Sequence, residues 1–332
     1  MNWRKEKMKK KLLSALLCAA MVASLVIGCG QKEPAATEEP AVTEEEAADE
    51  ENYETGDASL DNTRNQDEIG ENELLVVSFG TSFNDNRRLT IGAIEEKMEA
   101  AFPEYSVRRG FTSQIIIDHV MSRDNVKIDN VTEALDRAVA NGVKNLVVQP
   151  TLLMNGIEYE ELTTTLAEYS DSFESVTVGE PLLTSDEDFQ KVATAIVDAT
   201  AEYDDGKTAI VFMGHGTHHE SNAVYAKMQS VLTEGGHTNY FVGTVEGSPM
   251  LDEVMPLVEA GGYERVVLRP LMIVAGDHAN NDMAGLEEAG AWAYEFEAAG
   301  YEVVSVVEGL GQIEDIQDLI VEHTQAAVDS AK

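Results

Sequence analysis

Three polar side chains stand just after apolar runs of the chain, where the strands of a sheet would end. His215 and His278 each follow a run of this type, and Glu246 follows another run between them. In open parallel α/β sheets the carboxyl ends of neighbouring strands meet at one edge, and ligands bind there. Two imidazoles and one carboxylate suit a borderline divalent cation such as Co²⁺, Fe²⁺, Ni²⁺ or Zn²⁺. The sequence therefore predicts one metal site formed by His215, Glu246 and His278.

The elements that must position these residues are short apolar runs separated by longer amphipathic stretches. This alternation is typical of parallel sheets with helices on both faces. The runs fall into two series of four, so the simplest arrangement is an α/β fold with two lobes, each a parallel four-stranded sheet flanked by helices. The predicted strands lie at residues 74–77, 105–107, 146–148 and 176–178 in the first lobe and at residues 209–212, 240–242, 266–268 and 303–307 in the second.

The two series also repeat each other in sequence. Residues 77–81, Val-Ser-Phe-Gly-Thr, align with residues 213–217, Met-Gly-His-Gly-Thr, and residues 149–158 align with residues 269–278. The aligned segments keep their glycines, and glycine permits tight turns and the close approach of a ligand. The repeat therefore predicts that the lobes are related by internal duplication and share a backbone turn at equivalent strand ends.

The polar residues at these aligned positions differ between the lobes. Phe79 stands where the second lobe has His215, and Glu158 stands where the second lobe has His278. A shared turn that carries different side chains indicates different chemistry. We therefore expect metal binding to belong to the second lobe, with the first lobe closing over it.

Five motifs between residues 74 and 327 extend this pattern. They are residues 78–82 (Ser-Phe-Gly-Thr-Ser), 111–113 (Phe-Thr-Ser), 155–160 (Asn-Gly-Ile-Glu-Tyr-Glu), 212–216 (Phe-Met-Gly-His-Gly) and 270–283 (Pro-Leu-Met-Ile-Val-Ala-Gly-Asp-His-Ala-Asn-Asn-Asp-Met). The last motif is long enough to be highly specific. On these motifs the chain resembles the anaerobic-type sirohydrochlorin cobaltochelatases, within the class II tetrapyrrole chelatase superfamily.

The resemblance implies a chelatase fold, in which each lobe is flavodoxin-like and the tetrapyrrole lies in the cleft between the lobes. It implies a metal site of two histidines and a glutamate, which by motif are again His215, Glu246 and His278, and it places Glu158 in the cleft. The implied reaction is insertion of Co²⁺ or Fe²⁺ into sirohydrochlorin with release of two protons, in anaerobic cobalamin biosynthesis. We expect His215 and Glu158 to be the catalytic residues, with Glu158 or Glu246 helping to remove the protons. A divalent metal and a tetrapyrrole would be the partners.

An acidic protein needs local basic groups to hold the carboxylates of sirohydrochlorin. Arginine suits paired contacts with carboxylates, and Arg87 and Arg88 follow the first strand end closely. We expect these two residues, with Phe79, to contact the substrate. Further candidates near the cleft are Arg108, Arg109 and Arg269.

The start of the chain predicts export and a lipid anchor. Residues 4–11 are rich in lysine, residues 12–27 are apolar, and residues 26–29, Val-Ile-Gly-Cys, resemble a bacterial lipoprotein signal. We expect residues 1–28 to be a cleaved signal peptide and Cys29 to carry lipid, which places the protein outside the cytoplasm on the bacterial membrane. The apolar stretch is short for a membrane span, and an uncleaved anchor is the alternative.

The rest of the chain divides by composition. Residues 29–73 consist largely of Glu, Asp, Ala, Thr and Pro, which is typical of a disordered tether. Residues 74–195 and 196–332 would form the first and second lobes. The chain has 61 acidic against 23 basic residues and a formal net charge of −38. This balance argues against nucleic acid as a partner, because its phosphates are bound by Lys and Arg.

Two functions of different classes fit these features. The first is a sirohydrochlorin cobaltochelatase that works outside the cytoplasm. The second is an extracytoplasmic lipoprotein that uses the same cleft to bind haem, a corrinoid precursor or metal for an uptake system. The set of His215, Glu246 and His278 favours the enzyme, because capture alone requires no metal site matched to a proton acceptor. The sequence does not fix the oligomeric state.

Overall fold

A computed structural model describes residues 55–287 and 289–331, which fold around two parallel sheets of four strands each. The arrangement confirms the two-lobed α/β fold predicted from the sequence. The strands are β1 (Asn72–Ser78), β2 (Ser106–Phe111), β3 (Asn145–Pro150), β4 (Ser175–Val178), β5 (Thr208–Gly214), β6 (Tyr240–Thr244), β7 (Arg265–Pro270) and β8 (Glu302–Ser305).

Helices flank both sheets. They are α1 (Asn84–Arg87), α2 (Ala93–Ala101), α3 (Gln114–Asp124), α4 (Val131–Ala140), α5 (Ile157–Glu168), α6 (Asp186–Asp198), α7 (Ala223–Glu234), α8 (Leu251–Gly261), α9 (Trp292–Ala298) and α10 (Glu314–Ser330). Two π-helical turns lie at Arg88–Gly92 and Ala279–Met283. Within the described ranges, none of these helices combines the length and the apolar composition that a bilayer crossing requires.

Both sheets have the same strand order. The first runs β2-β1-β3-β4, the second runs β6-β5-β7-β8, and all neighbours are parallel. The chain adds β2 on one side of β1 and then crosses to add β3 on the other side, so each sheet has a topological switch point between its two central strands. Ligands of open α/β sheets bind outside the carboxyl ends of the strands at such points. In the second sheet, the switch point lies at the loops after β5 and β7, which carry the predicted ligands His215 and His278.

The central strands are apolar along their length because helices cover both faces of each sheet. Residues 74–77 of β1 and residues 209–213 of β5 are fully buried. One apolar cluster contains Val76 from the first sheet and Phe212 from the second. The two lobes therefore share a continuous core.

Two helices cross between the lobes. Helix α6 packs on α7 of the second lobe, and the hydroxyl of Thr200, just after α6, lies 3.1 Å from the hydroxyl of Tyr240 in β6. Helix α10 returns to the first sheet, where Thr324 donates a hydrogen bond of 3.1 Å to Oε1 of Gln149 in β3. Helix α10 thus lies on β3 and β4 of the first sheet and also packs on α6. The predicted lobe boundary at residues 195–196 stays a prediction.

The N-terminal part of the described chain, residues 55–71, packs on the first lobe, and we call it the strap. Its Asp61 is buried between Arg87, at 2.6 Å from Nε, and Arg109, at 2.7 Å from Nη1. Buried guanidinium groups require carboxylate partners, so the strap is ordered and the prediction of a disordered tether is wrong for these residues. The remainder of the predicted tether and the predicted signal peptide with its lipidated cysteine lie outside the described residues.

Glu73 in β1 is a fully buried carboxyl group whose two oxygens have no hydrogen-bond partner among the described residues. Burial raises the pKa of Glu73 to about 7, while the charge of Arg108 opposes the shift and that of Asp129 adds to it. The unfolded chain releases this proton near the ordinary pKa of 4.5. By linkage, the stability contributed by the protonated group is complete below the unfolded pKa and is lost as the pH rises through the folded pKa.

Glu73→Gln is expected to remove this pH dependence, because a neutral amide keeps the shape of the protonated carboxyl group. As the pH rises from about 5 to about 8.5, the free energy of unfolding of the wild type should fall by about 2 to 3 kcal/mol more than that of the variant. Urea denaturation at a series of pH values measures the difference. Glu71→Gln is the control, because Glu71 pairs with Lys144 on the surface. Parallel pH profiles for the wild type and Glu73→Gln would contradict the assignment.

Candidate metal centre

The loops after β5 and β7 bring two imidazole rings into contact. His215 directly follows β5, and His278 lies in the loop after β7, so both stand at the switch point of the second sheet. Their ring centroids are 4.7 Å apart, and the rings are inclined at 82°. Two of the three predicted ligands therefore lie side by side, although they are far apart in the sequence.

Each imidazole uses its Nδ1 atom within the protein. Nδ1 of His215 lies 2.8 Å from the carbonyl oxygen of Gly216, and Nδ1 of His278 lies 2.6 Å from Oδ2 of Asp282. Carbonyl and carboxylate oxygens only accept hydrogen bonds, so Nδ1 carries the hydrogen in both rings. In the neutral form Nε2 then has a free lone pair, which is the arrangement of metal-binding histidines.

Asp282 also sets the charge at His278. It lies one helical turn further on, in the π-helical turn Ala279–Met283. Burial alone lowers the pKa of His278, but the hydrogen bond and charge of Asp282, with the charges of Asp277 and Glu246, outweigh burial and hold the pKa above its ordinary value. Asp282 is not among the predicted site residues, although its i,i+4 spacing after a predicted ligand is a signal that the sequence carries.

Glu246 lies in a loop that packs against the loop of His215. Its backbone N–H donates a hydrogen bond of 2.7 Å to the carbonyl oxygen of His215. Gly216 permits this approach, because its φ of +85° and the nearby backbone of Glu246 leave no room for a Cβ atom. In the part of the chain that the structure describes, no group of three or more His, Cys, Asp or Glu side chains is arranged to hold a metal ion. Ligation by Glu246 therefore stays a prediction.

The charge of Glu158, in the first lobe, acts on the region around His215. It lies in the first turn of α5. Tyr225 of α7 accepts a hydrogen bond of 3.2 Å from the N–H of Gly216, next to His215. Burial raises the pKa of Tyr225 to about 12, the backbone hydrogen bond of Gly216 opposes the shift, and the charge of Glu158 adds to it. Glu158 is therefore within electrostatic range of the loop that carries His215, and Tyr225 is a neutral support that sequence reasoning missed.

Glu158 also lines a polar cavity of about 190 Å³ in the first lobe. The cavity lies between the carboxyl end of β2 and α5, and its walls include Thr112, Asn130 and Thr165. A water molecule takes about 30 Å³ in the liquid, so several waters fit. The carboxylate of Glu158 can therefore exchange protons with water on the side of the first lobe.

A further contact between the lobes involves His219, in the loop that follows His215. Nε2 of His219 lies 3.7 Å from Oε1 of Glu160 in α5, and its Nδ1 accepts a hydrogen bond of 3.2 Å from the N–H of Ser221. The neutral ring then carries its hydrogen on Nε2, directed toward the carboxylate, and offers no lone pair there to a metal. His219 connects the lobes and does not add a ligand.

Most of the predicted carboxylate-binding arginines stabilise the fold instead. Arg87 is fully buried, pairs with Asp61 and donates a hydrogen bond of 3.0 Å to the carbonyl oxygen of Thr81. Its assignment to substrate binding is wrong, because its charge is neutralised inside the first lobe. The further candidates are also buried beside carboxylates: Arg108 with Asp129, Arg109 with Glu95 and Arg269 with Glu308.

Arg88 and Phe79 keep the exposure that contact with a substrate requires. Arg88 lies 3.4 Å from Asp85 in a surface ion pair, with 38% of its side chain exposed. Phe79 is 42% exposed just after β1. Substrate contact by both residues stays a prediction.

The chain matches a known protein family over most of its length. Residues 72–329 fit the family model described as Cobalt chelatase (CbiK). The chain belongs to the CbiK cobalt chelatase family. The motif resemblance in the sequence is thereby confirmed at the level of the family.

Two CbiK relatives are similar along nearly their whole length. The sirohydrochlorin cobaltochelatase of Salmonella typhimurium is 35% identical over 258 residues, which cover 78% of this chain and 97% of that protein. The sirohydrochlorin cobaltochelatase CbiKC of Nitratidesulfovibrio vulgaris is 31% identical over 257 residues, which cover 77% of this chain and 90% of that protein.

Solved structures share the fold of this CbiK family member. SirB from Bacillus subtilis with Fe³⁺ has a TM-score of 0.51 at 14% identity, covering 79% of this chain and 97% of that one. DR2241 from Deinococcus radiodurans, a multi-domain protein with structural similarity to chelatases, has a TM-score of 0.52 at 17% identity, covering 77% of this chain and 55% of that one. At such identities the likeness concerns the fold alone, and it confirms a chelatase fold with two flavodoxin-like lobes.

Asp282→Asn is expected to lower the pKa of His278, because the neutral amide removes the negative charge that favours the imidazolium. The same change should weaken Co²⁺ binding about tenfold or more, since an outer partner orients the ring and raises its basicity. An NMR titration of the histidine ring protons measures the pKa. Asp171→Asn, next to the amino end of β4, should leave it unchanged. An unaltered pKa of His278 in Asp282→Asn would show that Asp282 does not control this ring.

Proposed function

We propose that this protein is a metal chelatase that inserts Co²⁺ into sirohydrochlorin. The observation that carries the proposal is the contact of His215 with His278 at the switch point of the second sheet, with ring centroids 4.7 Å apart. Membership of the CbiK family and the names of both relatives support the same reaction.

His215 and His278 would hold the metal through their Nε2 atoms. The carboxylate of Glu246, which follows β6 at the same edge of the sheet, would be the third ligand and would add negative charge that favours a divalent cation. A set of three ligands leaves positions open on the metal. Such incomplete ligation suits a chelatase, because the cation must pass from the protein to the nitrogens of the macrocycle.

Metal insertion releases two protons, and the chain offers two groups to accept them. Each pyrrole N–H bond breaks as the nitrogen lone pair binds Co²⁺, so one proton leaves from each of two pyrrole rings. Glu158 can take a proton on the first-lobe side and pass it to water in the cavity that it lines. His215 can take the other as the metal leaves its Nε2 atom.

Exposed apolar side chains at the carboxyl ends of the strands favour a large planar substrate. Phe79 follows β1, Ile157 follows β3 and Met250 follows β6, and each is 40% or more exposed. Aromatic and aliphatic groups of this kind pack on the faces of ring systems. Arg88 is the partly exposed cation that we assign to a substrate carboxylate.

Co²⁺ is the metal that the names of the relatives indicate. We further propose that Fe²⁺, Ni²⁺ and Zn²⁺ compete for the same ligands, since affinities in such sites follow the metal more than the protein. Family membership favours turnover over the alternative of a tetrapyrrole-binding or metal-binding lipoprotein.

Multiple turnovers by a substoichiometric amount of the purified protein are expected in an anaerobic visible-absorbance time course with sirohydrochlorin and Co²⁺. His215→Ala and His278→Ala should lower the rate by two orders of magnitude or more, because each removes a ligand of the transferred metal (about 10²-fold). His237→Ala is the matched control, since the ring of His237 contacts Tyr240 edge-on at the amino end of β6, away from the candidate site. A spectral change that stops at one equivalent would support the binding protein instead.

We also propose that the protein is exported and anchored by lipid at Cys29, with residues 1–28 removed. The support is the sequence of residues 26–29, Val-Ile-Gly-Cys, after an apolar stretch with a lysine-rich start. The lobes would then lie outside the cytoplasm, at the surface of the membrane.

Cys29→Ala is expected to abolish lipid attachment, because the thiol that carries the lipid is lost. The wild-type protein should partition into the detergent phase of cell extracts, and mass spectrometry should find lipid on the N-terminal cysteine. Cys18→Ala should behave like the wild type, since Cys18 lies inside the segment that is removed. Identical partitioning of the wild type and Cys29→Ala would disprove the anchor while leaving the chelatase proposal intact.

A further inference from the structure

Two asparagines occupy equivalent positions in the two lobes. Asn86 and Asn222 follow the repeated Gly-Thr pairs at residues 80–81 and 216–217 with the same spacing. Both side chains are partly buried at the start of the helical segment that follows the first strand of their lobe. Each uses its amide to hold a loop that carries a candidate ligand, but the two asparagines hold different loops.

Asn86 holds the loop of His278 from the opposite lobe. Its Oδ1 accepts a hydrogen bond of 2.8 Å from the N–H of Ala275, a residue that is 1% exposed. The lobes touch at this point, because a Cβ atom on Gly276 would lie 3.1 Å from Oγ1 of Thr81. Without Asn86 the N–H of Ala275 would be buried without a partner, which is costly. The loop would have to shift, and His278 would move with it.

Asn222 joins the loop of His215 to the loop of Glu246 within the second lobe. Its Oδ1 accepts a hydrogen bond of 3.0 Å from the N–H of Thr217, and its Nδ2 donates one of 2.7 Å to the carbonyl oxygen of Ser248. Thr217 lies just after His215, and Ser248 lies just after Glu246. The side chain of Asn222 therefore joins these two loops beside the backbone hydrogen bond from Glu246 to His215.

We infer that Asn86 and Asn222 are positioning residues that hold the candidate ligands at the spacing that a divalent cation requires. The inference rests on the proposed site of His215, Glu246 and His278. It deepens that proposal by assigning the geometry of the site to side chains that do not touch the metal. Residues that orient metal ligands typically change metal affinity or activity about 10- to 100-fold when they are replaced.

The two asparagines differ in the part of the amide group that they use. Asn86 acts chiefly as an acceptor, because among the described residues its Nδ2 donates only to Oε1 of Gln312, at the long distance of 3.5 Å. Asn222 is an acceptor and a donor at once. A change to aspartate keeps the shape and the accepting oxygen but replaces the donor by an oxygen that repels a carbonyl group. Asn86→Asp should therefore preserve the positioning, and Asn222→Asp should not.

Titration of the full-length protein with Co²⁺ alone, followed by the visible absorption of the bound ion, tests the inference. Asn86→Ala and Asn222→Ala should each raise the Kd for Co²⁺ about tenfold or more, and the KM for Co²⁺ in the insertion assay should rise more than kcat falls. Asn86→Asp should bind like the wild type, and Asn222→Asp as weakly as Asn222→Ala. Asn239→Ala is the matched control, because the partly buried Asn239 bonds the carbonyl oxygen of Thr208 at the amino end of β5.

Wild-type Kd and KM in folded Asn86→Ala and Asn222→Ala would overturn the inference. Circular dichroism and thermal melting show whether these variants fold. If one does not, the shape-matched aspartate variants decide, and equal affinities for Asn86→Asp and Asn222→Asp would refute the assigned roles. His278→Ala separates this inference from the proposed function: if it binds Co²⁺ like the wild type, the metal site itself is wrong. If His278→Ala binds Co²⁺ weakly while Asn86→Ala and Asn222→Ala bind it like the wild type, only the positioning role of the asparagines is rejected.

Discussion

The candidate metal centre depends on the parallel pairing of β5 with its two neighbours. The register sets Met213 opposite Pro270 of β7 and Gly214 opposite Thr244 of β6, so the three strands end at nearly the same level. The pairing continues just past the strands, where the N–H of Val245 donates a hydrogen bond of 3.0 Å to the carbonyl oxygen of Gly214. Short loops are enough to bring the candidate ligands to the same edge of the sheet, because the three strands end there. A slip of the register by one residue would turn every side chain of the moved strand to the opposite face.

The two histidines at this edge are held unequally. His215 donates to a carbonyl oxygen, whereas His278 donates to the carboxylate of Asp282. A hydrogen bond to a charged acceptor is stronger than one to a neutral acceptor, so the ring of His278 is the more firmly oriented of the two. This inequality would suit the proposed metal transfer, in which His278 would hold the cation firmly and His215 could exchange the metal for a proton.

The fold and the histidine pair could be predicted from the sequence because both follow from the positions of the apolar runs. Buried parallel strands are continuous apolar runs, and the residue after each run is known once the run is found. The rest depends on partners that are distant in sequence. The strap at residues 55–71 has the composition of a disordered chain, yet Asp61 is buried against Arg87, and composition does not distinguish a solvated carboxylate from a paired one. The contact of Asn86 with Ala275 joins two lobes whose relative placement no motif reports.

The crossing of α6 and α10 between the lobes limits how far the lobes can separate. The apolar cluster that contains Val76 and Phe212 is continuous through both halves, and a wide separation of the halves would expose it to water at about 25 cal/mol for each Å². Entry of a substrate would therefore depend on movement of the loops at the carboxyl ends of the strands and not on a wide separation of the lobes.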